Sequence, residues 1–277
     1  MTEKSDSTQY GDIHYWTNEH RSERATLVFL PGLTADHRLF DKQIEAFQGK
    51  YNVLVWDAPG HGASRPFRLE FSLDDKADFL HGILEREGIV RPVLVGQSMG
   101  GYVAQCYMDR YPGTVGGFVC IDSAPLKREY ITAAELWMLK RTEPMYRAFP
   151  WKLLQRCGIN GCAMSDYGRQ LMGEMMTAFE KDEYCKLAGH GFRILAQAIE
   201  KNRPYDIDCP ALLICGEKDQ AGSSKRYNRA WTKKTGLPLL WVKNAGHNSN
   251  TDQPELVNAM IEKFIENRTR KDVSHGI

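Results

Sequence analysis

Short apolar runs separated by helix-patterned stretches constrain this chain more than any other feature. They are "TLVFL" 26–30, "NVLVWD" 52–57, "PVLVG" 92–96, "GFVCID" 117–122, "ALLICG" 211–216 and "LPLLWVK" 237–243. Each is rich in Val, Leu, Ile or aromatic residues with few polar interruptions, the pattern of a strand covered on both faces. Between several of them lie segments of helical periodicity: 73–87 "LDDKADFLHGILERE", 100–110 "GGYVAQCYMDR" and 224–235 "SKRYNRAWTKKT". Strand and helix alternating in this way build βαβ units, so the expected class is α/β with a mostly parallel, doubly wound sheet. The alternating "DIHYW" 12–16 suits a strand at the sheet edge.

One interval breaks the rhythm. Residues 125–203 show only helical patterns, in "AAELWMLKR", "WKLLQRC", "GRQLMGEMMTAFE" and "GFRILAQAIEKN". The block is too long for a connection. It reads as a helical cap inserted into a core made of residues 1–124 and 204–277. Its Trp137, Met138, Trp151, Met172, Met175, Met176 and Phe179 are candidates to line an apolar substrate pocket, although packing within the insertion would use the same residue types. The polar stretches 1–8 "MTEKSDST" and 268–277 "RTRKDVSHGI" are expected to be disordered.

The chain has 277 residues, enough for one large core. A formal net charge of +1 gives no reason to expect nucleic acid as a partner. The first 25 residues hold no apolar run of signal-peptide type, and nothing approaches the roughly 18 apolar residues needed to cross a bilayer. The expectation is a soluble cytoplasmic protein acting on a small molecule, with no membrane partner; the oligomeric state is left open. The 7 cysteines, at 106, 120, 157, 162, 185, 209 and 215, are odd in number, and Cys106, Cys120 and Cys215 sit in apolar segments. Reduced, buried thiols fit that distribution better than disulfides. "CGINGC" 157–162 has no matching second pair, so no metal site is expected. The basic run "KRYNRAWTKK" 225–234 could attract an anionic substrate handle, but Tyr227, Ala230 and Trp231 at helical spacing make a solvated face the simpler reading.

"LVGQSMGGYVAQ" 94–105 carries the chemistry. A buried strand leads into Ser98, and a helix with Val103, Cys106 and Tyr107 on one face leads out. Small residues at 96 and 100 let strand and helix close around a strained turn that lifts the hydroxyl clear of the backbone. The helix N-terminus points N–H groups at developing negative charge. This stretch resembles the nucleophile elbow of the α/β-hydrolase superfamily.

A serine hydroxyl needs a base with a pKa near neutrality, and histidine supplies it. His247 in "WVKNAGHNS", His61 in "DAPGHGAS" and His37 in "LTADH" each follow a strand, on the side where open α/β sheets place their sites. Position alone leaves all three. The resemblance selects His247, because the family's base follows the last strand, and it implies a structural role for His61. It also implies Asp219 in "CGEKDQAG" as the acid that orients the base. Asp122 in "CIDSAP" is the alternative location, unless it is a strand-end residue accepting backbone N–H bonds. The oxyanion hole is expected from the amides of Met99 and Leu33, the latter in "FLPGLTADHRLF". Many members have His-Gly where this chain has Pro31-Gly32. The apolar Leu33 and a serine nucleophile point away from dehalogenase and epoxide-hydrolase chemistry.

The resemblance spans residues 12 to 266. It implies a serine hydrolase that cleaves a carboxylic ester of a small or medium apolar substrate through an acyl-enzyme, without metal or organic cofactor. The same triad would serve a thioesterase, a lactonase or a hydrolase of carbon–carbon bonds. A ligand receptor or a lyase on the same fold is the alternative without hydrolysis.

Overall fold

The computed structural model describes residues 1–274. Its strands are β1 Thr2–Thr8, β2 Gly11–Thr17, β3 Thr26–Leu30, β4 Asn52–Trp56, β5 Val93–Gln97, β6 Gly117–Ile121, β7 Ala211–Gly216 and β8 Leu239–Val242. Its helices are α1 Asp41–Phe47, α2 Leu73–Arg86, α3 Met99–Arg110, α4 Ala133–Leu139, α5 Thr142–Ala148, α6 Trp151–Cys162, α7 Asp166–Thr177, α8 Lys181–Glu200, α9 Ser224–Thr235, α10 Ser249–Asp252 and α11 Pro254–Ser274. The strands form one 8-stranded sheet in the order β1-β2-β4-β3-β5-β6-β7-β8. From β4 to β8 every pairing is parallel, while β1 and β2 join antiparallel.

The apolar runs are continuous because successive side chains enter two different cores. Leu27, Phe29, Val53, Val55, Val93 and Val95 face a core completed by Phe47 of α1 and by Val257, Ile261 and Ile265 of α11. Val28, Leu30, Leu54, Trp56 and Leu94 face the opposite core with Leu80 and Ile83 of α2 and Val103 and Tyr107 of α3. α2 starts at a reciprocal cap in which Ser72 and Asp75 each take the other's backbone N–H.

Between β6 and β7 the chain makes α4 to α8, with no strand there, as the helical patterns indicate. α8 sends Leu195 and Ile199 into the sheet's core. Earlier in the insertion, Leu154, Met176, Phe179, Tyr184 and Leu187 form a small apolar cluster of their own.

Both expected disordered ends differ. Residues 2–8 form β1, the true sheet edge, so "DIHYW" lies one strand inside it. Nearly every β1 side chain is solvated, which leaves hydrophobic patterning silent. Main-chain pairing with β2 and the Lys4–Glu87 and Glu3–His14 contacts hold the strand instead. At the other end α11 continues to Ser274, and residues 275–277 lie outside the described residues.

No helix among the described residues is long and apolar enough to cross a membrane. All 7 cysteines are free, with Cys106, Cys120 and Cys215 buried and Cys157 exposed.

Candidate active site

Ser98 occupies the single residue between β5 and α3, with φ 49° and ψ −116°. A side chain in that region costs about 1–3 kcal/mol, so its surroundings must impose it. They do so through close backbone approach. A Cβ on Gly100 would lie 1.8 Å from the Leu30 carbonyl oxygen, and one on Gly96 would lie 2.5 Å from the Gly100 carbonyl carbon. Only glycine at both positions lets β3, β5 and α3 converge. The Ser98 N–H donates to Ile121 O at 2.9 Å, and Ser123 Oγ donates to Ser98 O at 2.7 Å, which pins the turn to β6 and the loop after it.

His247 and Asp219 arrive on the loops after β8 and β7. His247 Nε2 lies 2.8 Å from Ser98 Oγ, and His247 Nδ1 lies 3.1 Å from Asp219 Oδ2. An ionised carboxylate only accepts, so Nδ1 carries the proton and Nε2 is free to accept from the serine hydroxyl. Asp219 also accepts from Ala221 N at 2.8 Å and from Ser224 Oγ. Burial alone would raise the Asp219 pKa, but the charge and hydrogen bond of His247 outweigh it and hold the carboxyl below its ordinary value. Burial pulls His247 down, yet Asp219 beside it leaves the imidazole above its ordinary value.

Asp122, the alternative acid, makes no hydrogen bond to the imidazole. Its Oδ1 accepts from Gly216 N at 2.7 Å and its Oδ2 from Ser249 N at 2.8 Å. It therefore ties the loop that carries Asp219 to the loop that carries His247. Burial, and then the neighbouring Asp219 charge, push its pKa upward. Gln97, Asn248 and Asp252 support the site and have no part in the sequence reading. Gln97 Nε2 donates to His247 O at 2.8 Å and to Asn248 Oδ1 at 3.1 Å. Asp252 accepts from Gly246 N at 2.7 Å and from the N–H groups of Met164 and Ser165, which fastens the histidine loop to the insertion. The polar density of "HNSNTD" 247–252 was the available signal.

Leu33 and Met99 border a chamber that also contains Ser98 and His247. Gly32 runs so close to the nucleophile that a Cβ there would sit 3.2 Å from Ser98 Cβ. The Leu33 side chain packs against Gly191 of α8.

Two chambers meet at Ser98. The one beside Leu33 and Met99 has a volume of about 190 Å³. The other, about 340 Å³, runs between α4 and the start of α9 toward Glu135 and Ser223. Tyr102, Tyr146, Phe192 and Leu195 border both. Of the insertion residues named as candidates, Met138 borders the larger chamber and Met172 the smaller. The others do not reach either. Trp137 is 54% exposed and stacks with Arg141. Trp151 packs on Tyr184, Met175 joins the core under the sheet, and Met176 and Phe179 fill the insertion's own cluster. Periodicity identified an apolar face but not which side of each helix met the cavity.

The other two candidate histidines are held elsewhere. His37 Nδ1 lies 3.0 Å from Asp57 Oδ1 and its ring stacks on Trp16. His61 is buried with Nδ1 3.0 Å from Pro59 O. Among the described residues, two acidic groupings have metal-ligand composition, Asp36–His37–Asp57 and Asp122–Cys215–Asp219. Their carboxylates already serve local donors: Asp57 takes the N–H of His37 and of Ala63, and Asp36 takes Arg38. In the basic run, Tyr227 and Trp231 are buried while Ala230 is exposed. Arg226 pairs with Glu135, and Lys234 pairs with Glu129.

A model of the alpha/beta hydrolase family matches residues 27–260. A 2-hydroxy-6-oxononadienedioate/2-hydroxy-6-oxononatrienedioate hydrolase of Paraburkholderia phymatum is 36% identical over 275 residues, covering 91% of this chain and 90% of that protein. The 3-oxoadipate enol-lactonase 2 of Acinetobacter baylyi is 23% identical over 256 residues, covering 89% and 90%. Among solved structures, a hydrolase from Pseudomonas aeruginosa PA01 superposes with a TM-score of 0.79 at 17% identity, over 95% of this chain and 98% of that one.

Proposed function

The chain belongs to the alpha/beta hydrolase family and is a hydrolase, and on that premise we propose that it cleaves a carboxylic ester of a small or medium apolar substrate with Ser98 as nucleophile, His247 as base and Asp219 as orienting acid. The carrying observation is the 2.8 Å approach of His247 Nε2 to Ser98 Oγ while Nδ1 rests on Asp219. In this reading Nε2 takes the hydroxyl proton as Oγ attacks the carbonyl carbon. The negative charge passes to the carbonyl oxygen, where the Leu33 and Met99 amides receive it, each worth about 3 kcal/mol in the transition state. The protonated imidazole then delivers its proton to the departing alkoxide, and Asp219 stabilises the cation in between. Water repeats the sequence on the acyl-enzyme, releasing the acid and restoring Ser98. Residues 125–203 act as a cap that walls the two chambers.

The test is a fluorophosphonate probe. Labelling that disappears in Ser98→Ala supports the reading, and an unlabelled wild type refutes it. Rates across p-nitrophenyl esters of rising chain length report the acyl pocket, where a preference confined to acetate would contradict a medium apolar substrate. The identity to the Paraburkholderia hydrolase favours a second reading with the same residues, hydrolysis of a 2-hydroxy-6-oxo compound in place of an ester.

A further inference from the structure

We propose that the substrate is uncharged where it fills the two chambers beside Ser98, and that the site rejects acyl donors bearing a carboxylate. This deepens the serine-hydrolase reading and rests on it. The larger chamber ends at Glu135, and its other lining residues that titrate near neutral pH are Asp122 and His247, whose imidazole is neutral in the resting site. Among the described residues no lysine or arginine borders either chamber.

Glu135 is a fixed negative charge. Its Oε2 accepts from Thr132 N at 2.9 Å and Thr132 Oγ1 at 2.8 Å, and its Oε1 from Ser223 Oγ at 2.9 Å and Arg226 Nη2 at 2.8 Å. Burial would raise its pKa, but hydrogen bonds from Tyr227 and Thr132 hold it at about 2. Arg226, the nearby cation, is 57% exposed on its side chain and already spent on this carboxylate. Arg193 of α8 is engaged by Glu143 and His190. Besides Ser98 and His247, the smaller chamber offers only uncharged polar groups, Thr34, Gln97, Asn248, Tyr102, Tyr146 and Tyr184, and the Gln97 amide is occupied by the histidine loop. A substrate carboxylate entering either space would lose its water and meet no cation. In the larger chamber it would also meet a carboxylate. A dioate, as named for the Paraburkholderia relative, brings that charge with it.

The experiment uses matched pairs differing in one charge. p-Nitrophenyl butyrate is compared with the p-nitrophenyl monoester of succinate, and an alkyl fluorophosphonate with its ω-carboxyalkyl analogue. We expect kcat/KM and the rate of Ser98 labelling to fall by about 100-fold or more for each carboxylated member, at least the scale of a polar group buried without a partner. Met138→Arg places a cation at an exposed position on the larger chamber and should narrow the gap about tenfold. Equal rates for the two members overturn the charge inference while leaving the hydrolase reading intact. An unchanged ratio in Met138→Arg also counts against it. Failure of both fluorophosphonates to label Ser98 removes the hydrolase reading and this inference together.

Discussion

Asp219→Asn separates the two candidate acids and tests the proton inventory of the site. The wild-type carboxylate meets the imidazole at 3.1 Å, and its other oxygen takes Ala221 N–H at 2.8 Å. An asparagine must keep its amide oxygen toward Ala221, because that donor has no other use. Its NH2 then faces His247 Nδ1. Nδ1 becomes the acceptor, the proton moves to Nε2, and Nε2 donates to Ser98 where it should accept. The imidazolium also loses its counter-charge. Two unit charges at this separation interact by about 5 kcal/mol at an effective dielectric of about 20. At about 1.4 kcal/mol per decade, kcat should fall by roughly a thousandfold or more. Asp122 cannot compensate, since both its oxygens already hold backbone N–H groups. The assay is kcat and kcat/KM for p-nitrophenyl butyrate, with thermal denaturation as the control for folding. A folded Asp219→Asn protein that keeps more than about a tenth of wild-type kcat would refute the assignment of this acid.

Other outcomes follow from the same geometry. Because Asp219 holds the His247 pKa above 6.5, kcat/KM should fall on the acid side with an apparent pKa above that value, as the imidazole gains a proton and ceases to be a base; a pH profile with its acid limb below 6.5 contradicts this. Asp122→Asn leaves Gly216 N–H or Ser249 N–H facing an amide donor, a loss of about 1–3 kcal/mol in urea denaturation. Its kcat should drop by less than that of Asp219→Asn, and the reverse ranking would exchange the two roles. Gly100→Ala drives a methyl to 1.8 Å from the Leu30 carbonyl oxygen, which belongs to a central strand and cannot yield. It should cost at least about 3 kcal/mol and lower Tm by about 6 °C or more; a shift under about 2 °C would mean that β3 and α3 are not held this closely.

The sequence by itself determined the buried strands, the helices between them and the serine turn, because each is written in local chemistry. Runs such as "TLVFL" can only be satisfied with both faces covered, and glycine at 96 and 100 marks where backbones must touch. It narrowed the histidine to loops after strands but did not choose among three of them without a family resemblance. β1 was invisible because an edge strand exposes its side chains to water and is held by main-chain bonds that any residue can make. What distinguishes Asp219 from Asp122 is visible only in three dimensions. Both lie at strand ends, and what separates them is which oxygen faces the imidazole and which faces backbone N–H groups brought from residues 216 and 249. The cavity lining was likewise a tertiary matter. Met138, Met172 and Met176 have similar side chains on amphipathic helices, and only the packing of those helices against the rest of the fold brings the first two to the chambers and the third into the insertion's own cluster. Local pattern records which residues avoid water; contacts between distant segments determine whether they do so in a core or around a substrate.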